Sequence, residues 1–124
     1  MSPHRFAPFL LATTLTFASM AASAHAILVD SSPKLNGTVA AGHVPMAFKY
    51  NSKIDQHRSR LVLIGPDKSE KVLTIASGSK SNEIDTSADL APGAYTVRWQ
   101  ALALDGHITR GDLPFTVVAA PAKQ

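Results

Sequence analysis

The sequence predicts an all-β domain, an antiparallel sandwich of Greek-key type with about seven short strands. Three observations predict it. Alternating apolar and polar residues recur between turns rich in Gly and Pro, most clearly where Tyr95, Val97 and Trp99 alternate with Thr96, Arg98 and Gln100. Beyond residue 24 no segment sustains the 3.6-residue apolar period of a helix. The remaining stretch, about 100 residues, holds no internal repeat and no linker long enough to split it, so one two-layer core is expected.

Residues 1–24 stand apart from that domain. Met1 to Arg5 is short and carries Arg5, Phe6 to Ala22 is apolar and uncharged, and Ala22-Ser23-Ala24 puts small residues where a signal peptidase reads them. Pro8 and several Thr and Ser interrupt the apolar run, which is at the short end of spanning length. The expectation is a cleavable signal peptide over 1–24 and a mature, exported domain over 25–124 that is not inserted in a membrane. His25 would then be the first residue of the mature chain.

The strands follow in order. Ala26 to Asp30 is a short apolar run closed by Ser31-Ser32-Pro33, and Lys34 to Gly37 is a second turn. Met46, Phe48 and Tyr50 alternate with Ala47, Lys49 and Asn51, with Pro45 at the strand start, where a missing N–H costs least. Asn51 to Ser59 is polar and reads as a loop. Arg60 to Ile64 is strand-like and stops at Gly65-Pro66-Asp67. Lys71 to Ala76 and the weaker Asn82 to Thr86 flank the flexible turn Ser77 to Ser81. Leu90 to Gly93 turns into the strand Ala94 to Ala101, and Leu113 to Val118 is the last strand. The expected core is Leu28, Phe48, Leu61, Leu63, Leu73, Ile75, Tyr95, Val97, Trp99, Phe115 and Val117.

Composition removes several function classes. Without Arg5, eleven Lys and Arg face nine Asp and Glu, a near balance, and no basic cluster is interleaved with aromatics, so a nucleic-acid partner is not expected. There is no Cys, so an exported domain must be held by packing alone, and any metal site must use N, O or thioether ligands. No G-x-S-x-G elbow or phosphate loop is present, and no triad is suggested, so the chain is not expected to be an enzyme.

The residues that could carry chemistry are few. A mature N-terminal His presents its free amine and its imidazole Nδ1 to one metal ion; the amine titrates near pH 8 and an imidazole near 6.5, so a strong Lewis acid displaces their protons at neutral pH (both approximate). Asp105 and His107 lie two apart, joined by Gly106. Extended, they point to one face; in a turn, glycine allows the bend at little steric cost. Together with His25 they form a three-nitrogen, one-oxygen set. Such a set favours Cu(II) in tetragonal geometry, and Zn(II) could use the same atoms tetrahedrally. Taken alone, Asp-Gly-His is an ordinary solvated turn. His43 and His57 read as surface or turn histidines, and Met46 and Trp99 as core.

These residues, taken together, resemble the CopC family of periplasmic copper-binding proteins. The likeness runs over nearly all of His25 to Val118: the His after the leader, Ser31-Ser32-Pro33, the Pro92-to-Trp99 strand (P-G-x-Y-x-V-x-W), Asp105-Gly106-His107, then Gly111, Phe115 and Val117. The resemblance implies an Ig-like Greek-key sandwich or barrel. It implies one Cu(II) per chain on the amine and imidazole of His25, on Asp105 and on His107. It also implies a periplasmic role in copper homeostasis, resistance or delivery, beside a CopD-like inner-membrane copper transporter. A monomer is the expected state. Some members carry a Met-rich Cu(I) loop; here Met46 is the only Met after residue 24, and Leu63 to Ser69 has none, which implies a Cu(II)-only member. Two other readings use different chemistry. One is a metal-free Ig-like interaction domain that binds a partner by its strand edges, which leaves the His25, Asp105 and His107 combination unexplained. The other is an oxidative copper enzyme acting on polysaccharides, which the short chain and few aromatics argue against.

Overall fold

A computed structural model describes residues 26–121. Over these residues the protein is an all-β sandwich of two sheets. The strands are β1 (Leu28–Ser32), β2 (Thr38–Ala40), β3 (Gly42–Tyr50), β4 (Arg60–Ile64), β5 (Glu70–Leu73), β6 (Glu83–Leu90), β7 (Gly93–Leu102) and β8 (Ile108–Val118). One sheet has the order β1-β3-β6 and the other β2-β8-β7-β4-β5. All pairings are antiparallel except β2 with β8, which is parallel.

The core lies between the two sheets because each strand turns alternate residues inward. Val97, Trp99 and Ala101 of β7 are buried, as are Leu113, Phe115 and Val117 of β8 and Leu61 and Leu63 of β4. From the facing sheet come Val44, Met46, Phe48 and Tyr50 of β3 and Ile84, Ala88 and Leu90 of β6. Tyr50 meets Trp99 edge to face, with centroids 5.4 Å apart and planes at 68°. Of the expected core, Leu28, Ile75 and Tyr95 pack against this cluster but stay partly open, and the other eight are buried.

Several boundaries differ from the sequence expectation. Among the described residues there are eight strands, because Thr38 to Ala40 pairs with the end of β8. The polar stretch before β4 contains one turn of 3-10 helix, Gln56–Arg58, whose N-cap Asp55 accepts from the Arg58 N–H at 3.3 Å. β5 ends at Leu73, short of Ala76, whereas β6 runs on to Leu90. The largest difference is β8, which starts at Ile108, five residues before Leu113. Its first half hides its strand character because two inward positions are not apolar. Thr109 makes a hydrogen bond there, and Gly111 yields space to the Trp99 ring.

Candidate metal centre

β7 and β8 form a long hairpin whose last register pair is Leu102 with Ile108. The five residues between them carry Asp105 and His107. The loop is closed by its own backbone: Gly106 N–H donates to the Ala103 carbonyl and Ala103 N–H to the His107 carbonyl, both at 2.9 Å. Gly106 has φ 92°, a left-handed value that favours glycine, so the Asp-Gly-His segment is a turn and not an extended strand. The base of the loop is also tied to the segment before β4. Asp55 N–H donates to the Leu102 carbonyl at 2.8 Å, Leu104 N–H donates to the Lys53 carbonyl at 3.2 Å, and Ile54 forms a bridge with Ala103.

The turn brings Asp105 and His107 together. One carboxylate oxygen of Asp105 accepts the His107 backbone N–H at 3.1 Å, and the other lies 2.9 Å from His107 Nδ1. The His107 side chain and then its backbone N–H hold the Asp105 carboxyl below the usual carboxylate range. An ionised carboxylate only accepts, so Nδ1 is the donor in this contact. A carboxylate that fixes the ring and tautomer of an imidazole is the usual support for a metal-binding His. Both side chains are exposed, so an ion can reach them. Among the described residues no group of three or more His, Cys, Asp or Glu is gathered; of the three expected ligand residues, Asp105 and His107 are the two that lie there.

His25, the third expected ligand, lies outside the described residues. Its neighbour Ala26 is fully buried and anchored close to the loop. The Thr109 hydroxyl, two residues beyond His107, donates to the Ala26 carbonyl at 2.6 Å. Next along the chain, Ile27 N–H donates to Asn51 Oδ1 at 2.8 Å and Asn51 N–H donates to the Ile27 carbonyl at 3.0 Å. Sequence reasoning missed Thr109 and Asn51. A β-branched polar residue two positions before Gly111, in step with Leu113, Phe115 and Val117, was the available signal for Thr109; Asn51 sits in a polar loop that offers none.

The other two histidines among the described residues lie elsewhere. His43 on β3 faces Asp89, its register partner on β6, with Nδ1 and Oδ1 2.9 Å apart, and His57 is on the 3-10 turn. Met46 is buried inside the sandwich, 2% exposed.

Comparison with known proteins agrees with this architecture. A family model described as CopC domain matches residues 28–118. Protein YobA of Escherichia coli K12 is 33% identical over 120 residues, covering 91% of this chain and 93% of its own. Among solved structures, CopC from Methylosinus trichosporium OB3b is similar with a TM-score of 0.68 at 26% identity, covering 81% of this chain and 100% of that one. PcoC, a methionine-rich copper resistance protein from Escherichia coli, is similar with a TM-score of 0.63 at 25% identity, covering 76% and 99%. The family match begins at the first residue of β1 and ends at the last of β8, enclosing the Asp105–His107 turn, and on that extent the chain belongs to the CopC family.

Proposed function

We propose that the protein binds one Cu(II) ion and acts in periplasmic copper homeostasis, resistance or delivery, as a carrier or buffer and not as an enzyme. The membership of the family and the likeness to a copper resistance protein support copper as the cargo. The observation that carries the site is the Asp105-supported His107 ring beside the anchored Ala26. His107 would give its Nε2, and His25 its amine and imidazole once the leader is removed. Asp105 would stand as ligand or as the group that orients the ring. This set of nitrogens and one carboxylate matches Cu(II), which prefers nitrogen-rich tetragonal coordination. Zn(II) is the competitor that geometry must separate.

Copper in the Cu(I) state calls for soft thioethers. PcoC is methionine-rich by name, whereas Met46 is the only methionine here beyond residue 24, and it is sealed in the core. The protein is therefore read as a Cu(II)-only member. A CopD-like inner-membrane transporter is the proposed recipient or source of the ion.

The test is a Cu(II) titration followed by electron paramagnetic resonance, with two preparations, one starting at His25 and one with an additional N-terminal Met. The expected result is a nitrogen-rich type-2 signal at one copper per chain, altered or weakened by the extra residue. Absence of stoichiometric binding by the first preparation would remove the copper reading and favour a metal-free interaction domain.

A further inference from the structure

The outer face of the five-stranded sheet gathers three arginines that are scattered in the sequence. On β4, β7 and β8 the buried residues turn inward, so Arg60, Arg98, Gln100 and Arg110 turn outward. Arg60 is the register partner of Gln100, and Gln100 is the register partner of Arg110. These three residues therefore stand in one row, each about 5 Å from the next at the backbone. Arg98 follows two residues along β7 on the same face. Its charge is already matched: Asp112 accepts from its Nε at 3.0 Å and its Nη2 at 3.3 Å, and Glu70 lies 3.9 Å from Nη1. The other two arginines are not matched. The Arg60 side chain makes no hydrogen bond or ion pair among the described residues. Arg110 uses only Nε, on Gln100 Oε1 at 2.9 Å, which leaves both of its Nη groups. That bond engages the amide oxygen of Gln100 and leaves its NH2 as a further donor. Beside this row is a hollow of about 200 Å³ lined by Arg60, Val62, Arg98, Trp99, Gln100 and Arg110, none of them acidic.

We propose that this hollow binds a phosphate-type oxyanion, held by Arg60 and Arg110 with the Gln100 amide between them. A guanidinium is always charged, and its planar fork of N–H donors matches phosphate oxygens two at a time. Part of the site is set before any ligand arrives. The Gln100 bond holds Arg110, and the Asp112 pair holds Arg98 as a wall, so less side-chain freedom is lost on binding. The two acids beside the hollow, Asp112 and Glu70, are engaged by Arg98 and do not compete for Arg60 or for the Nη groups of Arg110. The basic character is local to this face. On the other sheet the outward residues of β6 include Glu83, Asp85 and Asp89, so an anion is directed to one side of the sandwich. A free phosphate ester and the phosphodiester of a lipid headgroup share the chemistry that the row reads. The site is separate from the Asp105–His107 turn, and it does not depend on the copper reading.

The test uses isotope-labelled, metal-free protein starting at His25, in a buffer without phosphate. Inorganic phosphate is titrated at constant ionic strength against chloride, and NMR follows the Nε–H signals of Arg60 and Arg110 and the NH2 signals of Gln100. These signals should shift saturably. Arg60→Gln and Arg110→Gln should each weaken binding about tenfold, the loss expected for one charge-assisted hydrogen bond. Lys71→Gln removes the same charge from the other face of this sheet, where its register partner Leu63 is buried, and should leave binding unchanged. Co-sedimentation with phosphatidylglycerol vesicles, against phosphatidylcholine vesicles, identifies the source of the anion. Retention on phosphatidylglycerol that requires Arg60 and Arg110 assigns it to a lipid headgroup; phosphate binding without such retention assigns it to a free phosphate ester. The signals of the native protein locate the anion by themselves, so the outcome stands even if a variant fails to fold. No saturable response to phosphate, together with no arginine-dependent preference for phosphatidylglycerol, overturns the proposal. Shifts centred on the Asp105–His107 turn overturn it too, as does an equal loss in Lys71→Gln, which would reduce the effect to overall charge.

Discussion

The Thr109 hydroxyl donates to the Ala26 carbonyl at 2.6 Å, joining residues 83 positions apart. It fixes the start of the described chain two residues from His107, on the strand that leaves the Asp-Gly-His turn. The proposed site depends on this anchor, because the ligand expected at position 25 immediately precedes Ala26 in the sequence.

Thr109→Val keeps the shape and removes the donor. The Ala26 carbonyl is left without its partner beside a buried residue, a loss of about 1–3 kcal/mol. The variant should unfold at lower urea, and its Cu(II) affinity should fall with the loss of the anchor, whereas Thr109→Ser should restore both. Unchanged copper affinity in the Val variant would detach Ala26 from the site.

Asp105→Asn separates the turn from the charge. The amide oxygen can still accept the His107 N–H, but no carboxylate supports the ring. Cu(II) affinity should drop about ten- to a hundred-fold, the range seen when the partner of a metal-binding His is removed. His107→Ala should weaken binding further. Both residues are exposed on a loop closed by backbone bonds, so stability should move by less than about 0.5 kcal/mol. Circular dichroism on each variant checks this; an unfolded Asp105→Asn chain would contradict the placement.

The Asp105 carboxyl should titrate below its ordinary value of 3.8, because His107 donates to it from side chain and backbone. The sign follows: with the folded value depressed, the contact favours the ordered turn above the unfolded value and is lost as pH falls through the folded one. A carbon-detected NMR titration of metal-free protein reads the midpoint. His107→Ala should raise it towards the ordinary value; no change would mean that the ring is not what holds the proton off.

Much of this was legible in the sequence, and the failures share a cause. β7 shows strict alternation because its inward residues, Val97, Trp99 and Ala101, are all apolar. The Asp105–His107 pair was legible as a motif, since a single glycine between two donors leaves them in reach whether the chain extends or turns. β8 was read from Leu113 onward because Thr109 and Gly111 occupy inward positions for reasons that exist only in three dimensions: a carbonyl 83 residues away and an indole on the next strand. β2 and the extension of β6 to Leu90 were hidden likewise, being set by register against neighbouring strands and not by local pattern.

Gly111 provides the sharpest test of that view. A Cβ at this position would lie 2.5 Å from Trp99 Cζ2 and 2.7 Å from Cε2, well inside contact distance. The indole cannot retreat easily, since Trp99 is 8% exposed and Tyr50 stands edge-on against it. Gly111→Ala should therefore cost about 1–3 kcal/mol through overpacking, although alanine is ordinarily the better strand residue. For a domain of this size each kcal/mol lowers the melting temperature by about 4–8 °C. The two residues should also couple. Trp99→Phe removes the ring atoms that the new methyl meets, so Gly111→Ala should cost less in the Phe background than in the native one, and a double-mutant cycle by urea denaturation measures the difference. Equal costs in both backgrounds would mean that Gly111 is there for its backbone and not for the tryptophan.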